Sequence, residues 1–281
     1  MNNLANVIAA IEYIEDNLME KIDLDIVADA VHYSKFHLHR MFSETVGLTI
    51  HGYILRRKLT EAAKLLVFSE KKIMEIALLA GYESQQAFTL AFKAMYKQSP
   101  LSFRRNEAFY PLQLEYKFSS QVKPDTDMNE RKRELRFAKE EDITLWMELV
   151  RLVIDGFPNL IEEEHIKVLR ESIVKQSALI MTERDAAIGI MLISYITGSI
   201  DFMGVHPLYH KQGINRILLD RAITELLEHN DISITTFREG DKADTGYRKN
   251  LKELGFAEAE LLTEYGYPTQ KMIYQTKRKR E

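Results

Sequence analysis

The chain has 281 residues, 46% of them hydrophobic, with 38 Lys and Arg against 42 Asp and Glu and no cysteine. That length suffices for two domains with separate cores, and the lack of thiols excludes a disulfide scaffold. A formal net charge of -4 sets the chain apart from strongly basic nucleic-acid binders, and no apolar run is long enough for a membrane helix, so no membrane partner is expected.

The opening MNNLANVIAAIEYIEDN carries acids where a secretion signal has a basic, then apolar, then small-residue order, so a cytoplasmic location is expected. Beyond it, Ile26, Ala30, Ser34, Leu38 and Phe42 recur 50 residues later as Ile76, Ala80, Ser84, Phe88 and Phe92. Apolar residues four apart share a helix face, and Ser34 and Ser84 suit the N-cap of a second helix, so each stretch reads as helix, tight turn, helix. Gly81 serves the second turn, and Val31 stands at the equivalent place in the first.

On the second helix of each pair, Lys35, Phe36, His39 and Arg40, and then Gln85, Gln86 and Thr89, are the candidates for DNA base edges. The planar fork of Arg40 matches guanine O6 and N7, Gln85 and Gln86 suit adenine, and Phe36 suits a thymine methyl. Residues 1–105 hold 13 basic against 12 acidic side chains, so phosphate contacts rest on local Lys35, Arg40, Arg56, Arg57, Lys58 and Arg104. His32, His37, His39 and His51 lie close in sequence, but His37 and His39 fall on different helix faces, and no metal site is expected.

The segments YSKFHLHRMF (Tyr33–Phe42), Thr45–Leu66 and Gly81–Arg105 resemble the AraC/XylS family of transcription regulators over residues 5–105. The resemblance implies two helix-turn-helix units joined by a long helix from about Thr49 to Ser69, with recognition helices entering successive major grooves about 34 Å apart. Double-stranded DNA with a long, asymmetric operator is the implied partner. One departure stands out: Leu90 occupies the place of an arginine that close relatives carry on the second recognition helix.

Residues 106–132, with Pro111, Pro124 and the polar run SSQVKPDTDMNERKR, read as a linker. From Arg133 the pattern becomes mixed: the strand ELRFA, two helices in EEDITLWMELVRLVI and EEEHIKVLRESIVKQ, the hairpin SALIMTE and AAIGIMLISYI, and the strand SIDFMGV. That strand leads through HPLYHKQGINR into a helix whose apolar residues recur at Ile217, Leu218, Ala222 and Leu226. A glycine-bearing loop before a helix N-terminus offers backbone N–H groups to an anion such as a pyrophosphate.

The words RFAKEEDI, GVHPLYHKQGINRILL and ELGFAEAE, in this order of elements, resemble the GNAT acetyltransferase fold across about residues 134–276. The fold class expected is therefore an all-α N-terminal domain (1–105) and an α/β (α+β) GNAT-like domain (133–281) with a central mixed sheet. The resemblance implies acetyl-CoA or another acyl-CoA, held by the loop His210, Lys211, Gln212, Gly213, Ile214, Asn215 and Arg216, with its acyl carbonyl against Met203, Gly204 and Val205. His210 and Asn215 depart from the family's basic-or-amide and small residues. Where many relatives carry a catalytic tyrosine stands Leu251, leaving Tyr247, one turn earlier, as the candidate acid. Glu162, Glu163 and Glu164 read as acids favouring a helix start.

Together these readings give a sequence-specific DNA-binding regulator whose second domain senses an acyl-CoA or another small-molecule effector, with RNA polymerase a further open partner. The alternatives are an active N-acetyltransferase working on a small amine or a protein, and a second domain that only dimerises the chain. The oligomeric state is open.

Overall fold

A computed structural model describes residues 3–118, 133–154, 161–226 and 231–276. The chain divides into two compact units, one built on Met1–Phe118 and the other carrying the sheet. The first unit is helical: α1 (Asn3–Asp16), α2 (Leu24–Ala30), α3 (Lys35–Val46), α4 (Ile50–Phe68), α5 (Ile73–Leu79), α6 (Gln85–Tyr96) and α7 (Pro100–Asn106). The expected long helix is α4, with Thr49 capping the amide of Gly52 and Ser69 ending it.

The pair α2–α3 and the pair α5–α6 are the two helix-turn-helix units. In each, the expected serine caps the second helix: Ser34 accepts from the amide of His37 and Ser84 from that of Ala87. The buried face of α3 is Leu38, Met41 and Phe42, and that of α6 is Phe88, Phe92 and Met95.

The repeat is not uniform at 50 residues. In the first helix of each unit the true offset is 49, because Val27 and Ala28 are buried as Ile76 and Ala77 are, whereas Ile26 is 38% exposed. The turns agree: the amide of Tyr33 donates to Ala28 O and that of Tyr82 to Ala77 O, both at 2.9 Å. The counterpart of Gly81 (φ +84°) is therefore His32 (φ +58°) and not Val31. Glu83, which lies between Tyr82 and Ser84, has no counterpart between Tyr33 and Ser34, and this restores the offset of 50 in the recognition helices.

Residues 107–118, the first part of the expected linker, pack into this unit. Tyr110, Leu112, Gln113 and Tyr116 are buried. The Thr60 hydroxyl on α4 accepts from the amides of Leu112 (3.0 Å) and Gln113 (3.2 Å), and the amide of Tyr116 donates to the Tyr53 hydroxyl. Residues 119–132 of that linker lie outside the described residues.

The second unit runs β1 (Arg133–Phe137), α8 (Ile143–Val153), α9 (Glu162–Val174), β2 (Ala178–Glu183), β3 (Ala186–Ser194), β4 (Ser199–Val205), α10 (Ile214–Glu225), β5 (Asp231–Phe237), α11 (Tyr247–Leu254), β6 (Ala257–Glu264) and β7 (Tyr267–Gln275). Its seven strands form one sheet in the order β1-β2-β3-β4-β5-β7-β6. Neighbours are antiparallel except β4 and β5, which are parallel. The all-α first domain and the mixed-sheet second domain are the fold class expected.

Helices cover both faces of β3. On one side Trp146, Val150 and Leu169 of α8 and α9 pack with Ile180, Ile190 and Leu192. On the other, α10 comes so close that a Cβ placed on Gly189 would lie 2.6 Å from Ile214 Cγ2 and 3.1 Å from Leu218 Cδ1. The buried stripe of α10 is Ile214, Leu218, Leu219 and Ala222, continued by Leu226, while Ile217, expected within it, faces outward.

Candidate DNA-reading surface and ligand loop

On α3, Lys35, Phe36, His39 and Arg40 are all exposed, Phe36 to 81%. They follow from the phase that Leu38, Met41 and Phe42 impose: with those three inward, the other face of the helix turns outward. On α6, Gln85 and Gln86 are exposed and Thr89 is half-buried, and Leu90 stands out at 71%. Lys35 Nζ lies 3.1 Å from Asp25 Oδ1 and 5.8 Å from the centre of the Phe36 ring, so part of its charge is already answered within the unit.

The cations expected to face phosphates do not behave alike. Arg56 and Arg57 are buried, at 4% and 6% exposure. Arg57 clamps Glu15 through Nε and Nη2 at 2.7–3.1 Å and reaches Glu61 and Gln113 O through Nη1. The Tyr53 hydroxyl donates to the same Glu15 at 2.7 Å. Burial and the adjacent carboxylate push the Tyr53 hydroxyl pKa up, and Glu15 holds the Arg57 guanidinium charged despite its burial. Arg56 donates to Leu112 O at 3.1 Å. These two arginines hold the fold together and are withdrawn from the phosphate-facing set. Lys58 donates to Glu20 O, and Arg104 to Leu66 O and Lys71 O.

In the second unit, β4 pairs with β5 only at Ser199 and Ser233. Toward Met203, Gly204 and Val205 the two strands therefore run apart, although β3 pairs with β4 to its end. Chain after β4 forms a 3-10 turn at Pro207–Tyr209 and reaches Gly213, whose φ of +72° makes it the N-cap of α10. No side chain caps this helix, and the N–H groups of a first turn have no intrahelical acceptor. A Cβ on Gly213 would meet nothing within 4 Å. Lys211 and Arg216 are exposed, His210, Gln212 and Asn215 are half-buried, and Ile214 is buried.

A cluster not singled out from the sequence holds this loop. The Tyr209 hydroxyl donates to Glu183 Oε2 at 2.6 Å, Arg133 Nε donates to Glu183 Oε1 at 2.8 Å, and Arg133 also bonds the Gln212 side chain. Arg133, Glu183 and Tyr209 come from three separate elements, and no local pattern joins them.

Tyr247 is the half-buried first residue of α11, and Leu251 is buried in the core one turn later. Glu162 forms a two-bond pair with Arg151 at 2.6 and 2.8 Å, which holds its carboxyl below the usual range. Two histidines flank β4 in space or sequence. His165 accepts the Trp146 indole N–H on Nε2 at 3.0 Å and lies 5.3 Å from the Phe202 ring. His206, directly after β4, accepts from the amide of Leu208. Burial lowers both imidazoles to about 4, so each is neutral at pH 7.

No helix among the described residues is long and apolar enough to cross a membrane. The second unit is similar in structure to a putative GNAT-family acetyltransferase from Desulfovibrio desulfuricans, 16% identical, covering 51% of this chain and 98% of that one, with a TM-score of 0.43. Residues 27–106 match the family model described as "Helix-turn-helix domain". Over 95 residues the chain is 42% identical to the transposon Tn10 TetD protein of Escherichia coli, covering 34% of this chain and 69% of that one. It is 40% identical over 94 residues to the uncharacterized HTH-type transcriptional regulator YbfP of Bacillus subtilis, covering 34% of this chain and about a third (32%) of that one. With its paired helix-turn-helix units and relatives of this kind, the chain belongs to the AraC family of transcription regulators.

Proposed function

We propose that the protein is a sequence-specific DNA-binding regulator in which α3 and α6 read two major grooves and the second unit takes an acyl-CoA or a related small effector. The observation that carries the first part is the outward display of Phe36, His39 and Arg40 on α3 and of Gln85 and Gln86 on α6, each over a buried aromatic and aliphatic face. Arg40 is assigned to a guanine, the two glutamines to adenines, and Phe36 to a thymine methyl. Lys35 contributes to a phosphate only if it leaves Asp25. Selection of bound duplexes from a random library tests this. Arg40→Ala relaxes preference at one base pair and costs about 1–3 kcal/mol of binding, and undiminished discrimination sinks the assignment.

The effector reading is supported by strands β4 and β5 running apart beside a glycine-led helix start, an arrangement suited to a pyrophosphate-bearing ligand. Met203, Gly204 and Val205 are proposed to meet the acyl group, and residues 210–216 the pyrophosphate. Calorimetric titration of acetyl-CoA and free CoA into the full chain checks it, with Gly213→Trp as the blocked variant. Heat absent from the unmodified chain rules out this ligand class. An effector switches DNA binding only through a difference in its affinity for DNA-competent and incompetent states. Titration with and without the selected duplex measures that difference.

A further inference from the structure

We propose that Leu90 reads the methyl group of a thymine, at the place on α6 where Arg40 on α3 reads a guanine; this rests on the DNA-reading function proposed above. The two recognition helices superpose in sequence at an offset of 50, since Ser34 and Ser84 cap them and Leu38 and Phe42 are buried as Phe88 and Phe92 are. In that register Arg40 corresponds to Leu90 and Phe36 to Gln86. Each helix thus presents one apolar and one hydrogen-bonding side chain at the same two outward positions, in opposite order.

A single exposed leucine on a protein surface is ordinary. The position of Leu90 is what gives it a role: it lies one turn after Gln86 and next to Thr89. Every other large apolar residue of α6, namely Phe88, Phe92, Met95 and Tyr96, is buried. A leucine offers a base edge neither donor nor acceptor. The apolar feature of a major-groove edge is the C5-methyl of thymine. Gln86 is then free to take the hydrogen-bonding edge of a neighbouring base pair.

The test uses the full chain and the best duplex from a random-library selection, resynthesised with each thymine replaced singly by deoxyuridine, which removes only the methyl. The expected result is a thymine, distinct from the one assigned to Phe36, at which this change weakens binding of the unmodified protein about fourfold, the value of one buried methyl group. Leu90→Ala, at an exposed site, retains the fold and binds the duplex, but is indifferent to the methyl at that thymine. The inference is overturned if no thymine loses its methyl dependence in Leu90→Ala. Failure to enrich any sequence instead overturns the DNA-reading function itself, and the Leu90 assignment with it.

Discussion

Arg40 and Arg57 show how little a residue type says before its surroundings are known. Both sit on helices of a DNA-binding unit, yet Arg40 is exposed and Arg57 is clamped between Glu15 and Glu61. Replacing Arg57 with Met leaves the half-buried Glu15 without its cation, a loss of about 3 kcal/mol. Arg40→Ala changes stability by about 0.5 kcal/mol or less. Chemical denaturation of the two variants separates the roles, and equal losses would refute this division. His32 is a second case: an exposed non-glycine residue at φ +58°. His32→Gly relieves left-handed strain but adds chain entropy, for a net gain of about 0.5–1 kcal/mol, read as a rise in the unfolding midpoint. A fall would mean that the imidazole makes a compensating contact. From sequence alone Val31 stands as the counterpart of Gly81, because a constant repeat hides a one-residue deletion in a turn.

At the scale of elements, serine caps and helical periodicity make α3 and α6 legible, because those signals are local, while α4 is legible through the family resemblance. Strand alternation and loop residues make β1 to β4 legible as well. The buried side of α10 was harder to read. Ile214 and Leu218 face the sheet, and Ile217 does not, since the helix begins earlier than its apolar run and lies against a glycine of β3. Gly189→Ala forces a methyl into Ile214, with an expected loss of about 1–3 kcal/mol; thermal unfolding that stays within error of the parent would show that α10 shifts freely. The loop-holding cluster of Arg133, Glu183 and Tyr209 joins residues 26–76 positions apart, and a contact at that range leaves no local periodic trace.

Taken over the molecule, the division into a helical and a sheet-bearing unit follows the change from helical to alternating patterning near Arg133, but the end of the first unit does not follow the loosening of that pattern at Asn106. Its last stretch is held by long-range bonds to α4 that composition cannot reveal. In the second unit, two buried neutral histidines give an acid-sensitive core. Their folded pKa of about 4 lies below the ordinary 6.5, so between these values the unfolded chain binds more protons. Stability contributed by keeping them neutral is present above pH 6.5 and is lost as pH falls toward 4, by at most about 1.4 kcal/mol per pH unit for each group. His165→Gln, which keeps an acceptor for Trp146, is expected to flatten this slope, and an unchanged pH profile of the unfolding midpoint would exclude His165 as a source. The stretch ending at Phe118 has a mechanical side as well. A pull on the chain there meets the stacked Tyr53 and Tyr116 rings and the Thr60 hydroxyl first, so tension is delivered to the long helix α4 before it reaches α6, which grips the same stretch further back through the Tyr96 hydroxyl on Tyr110 O.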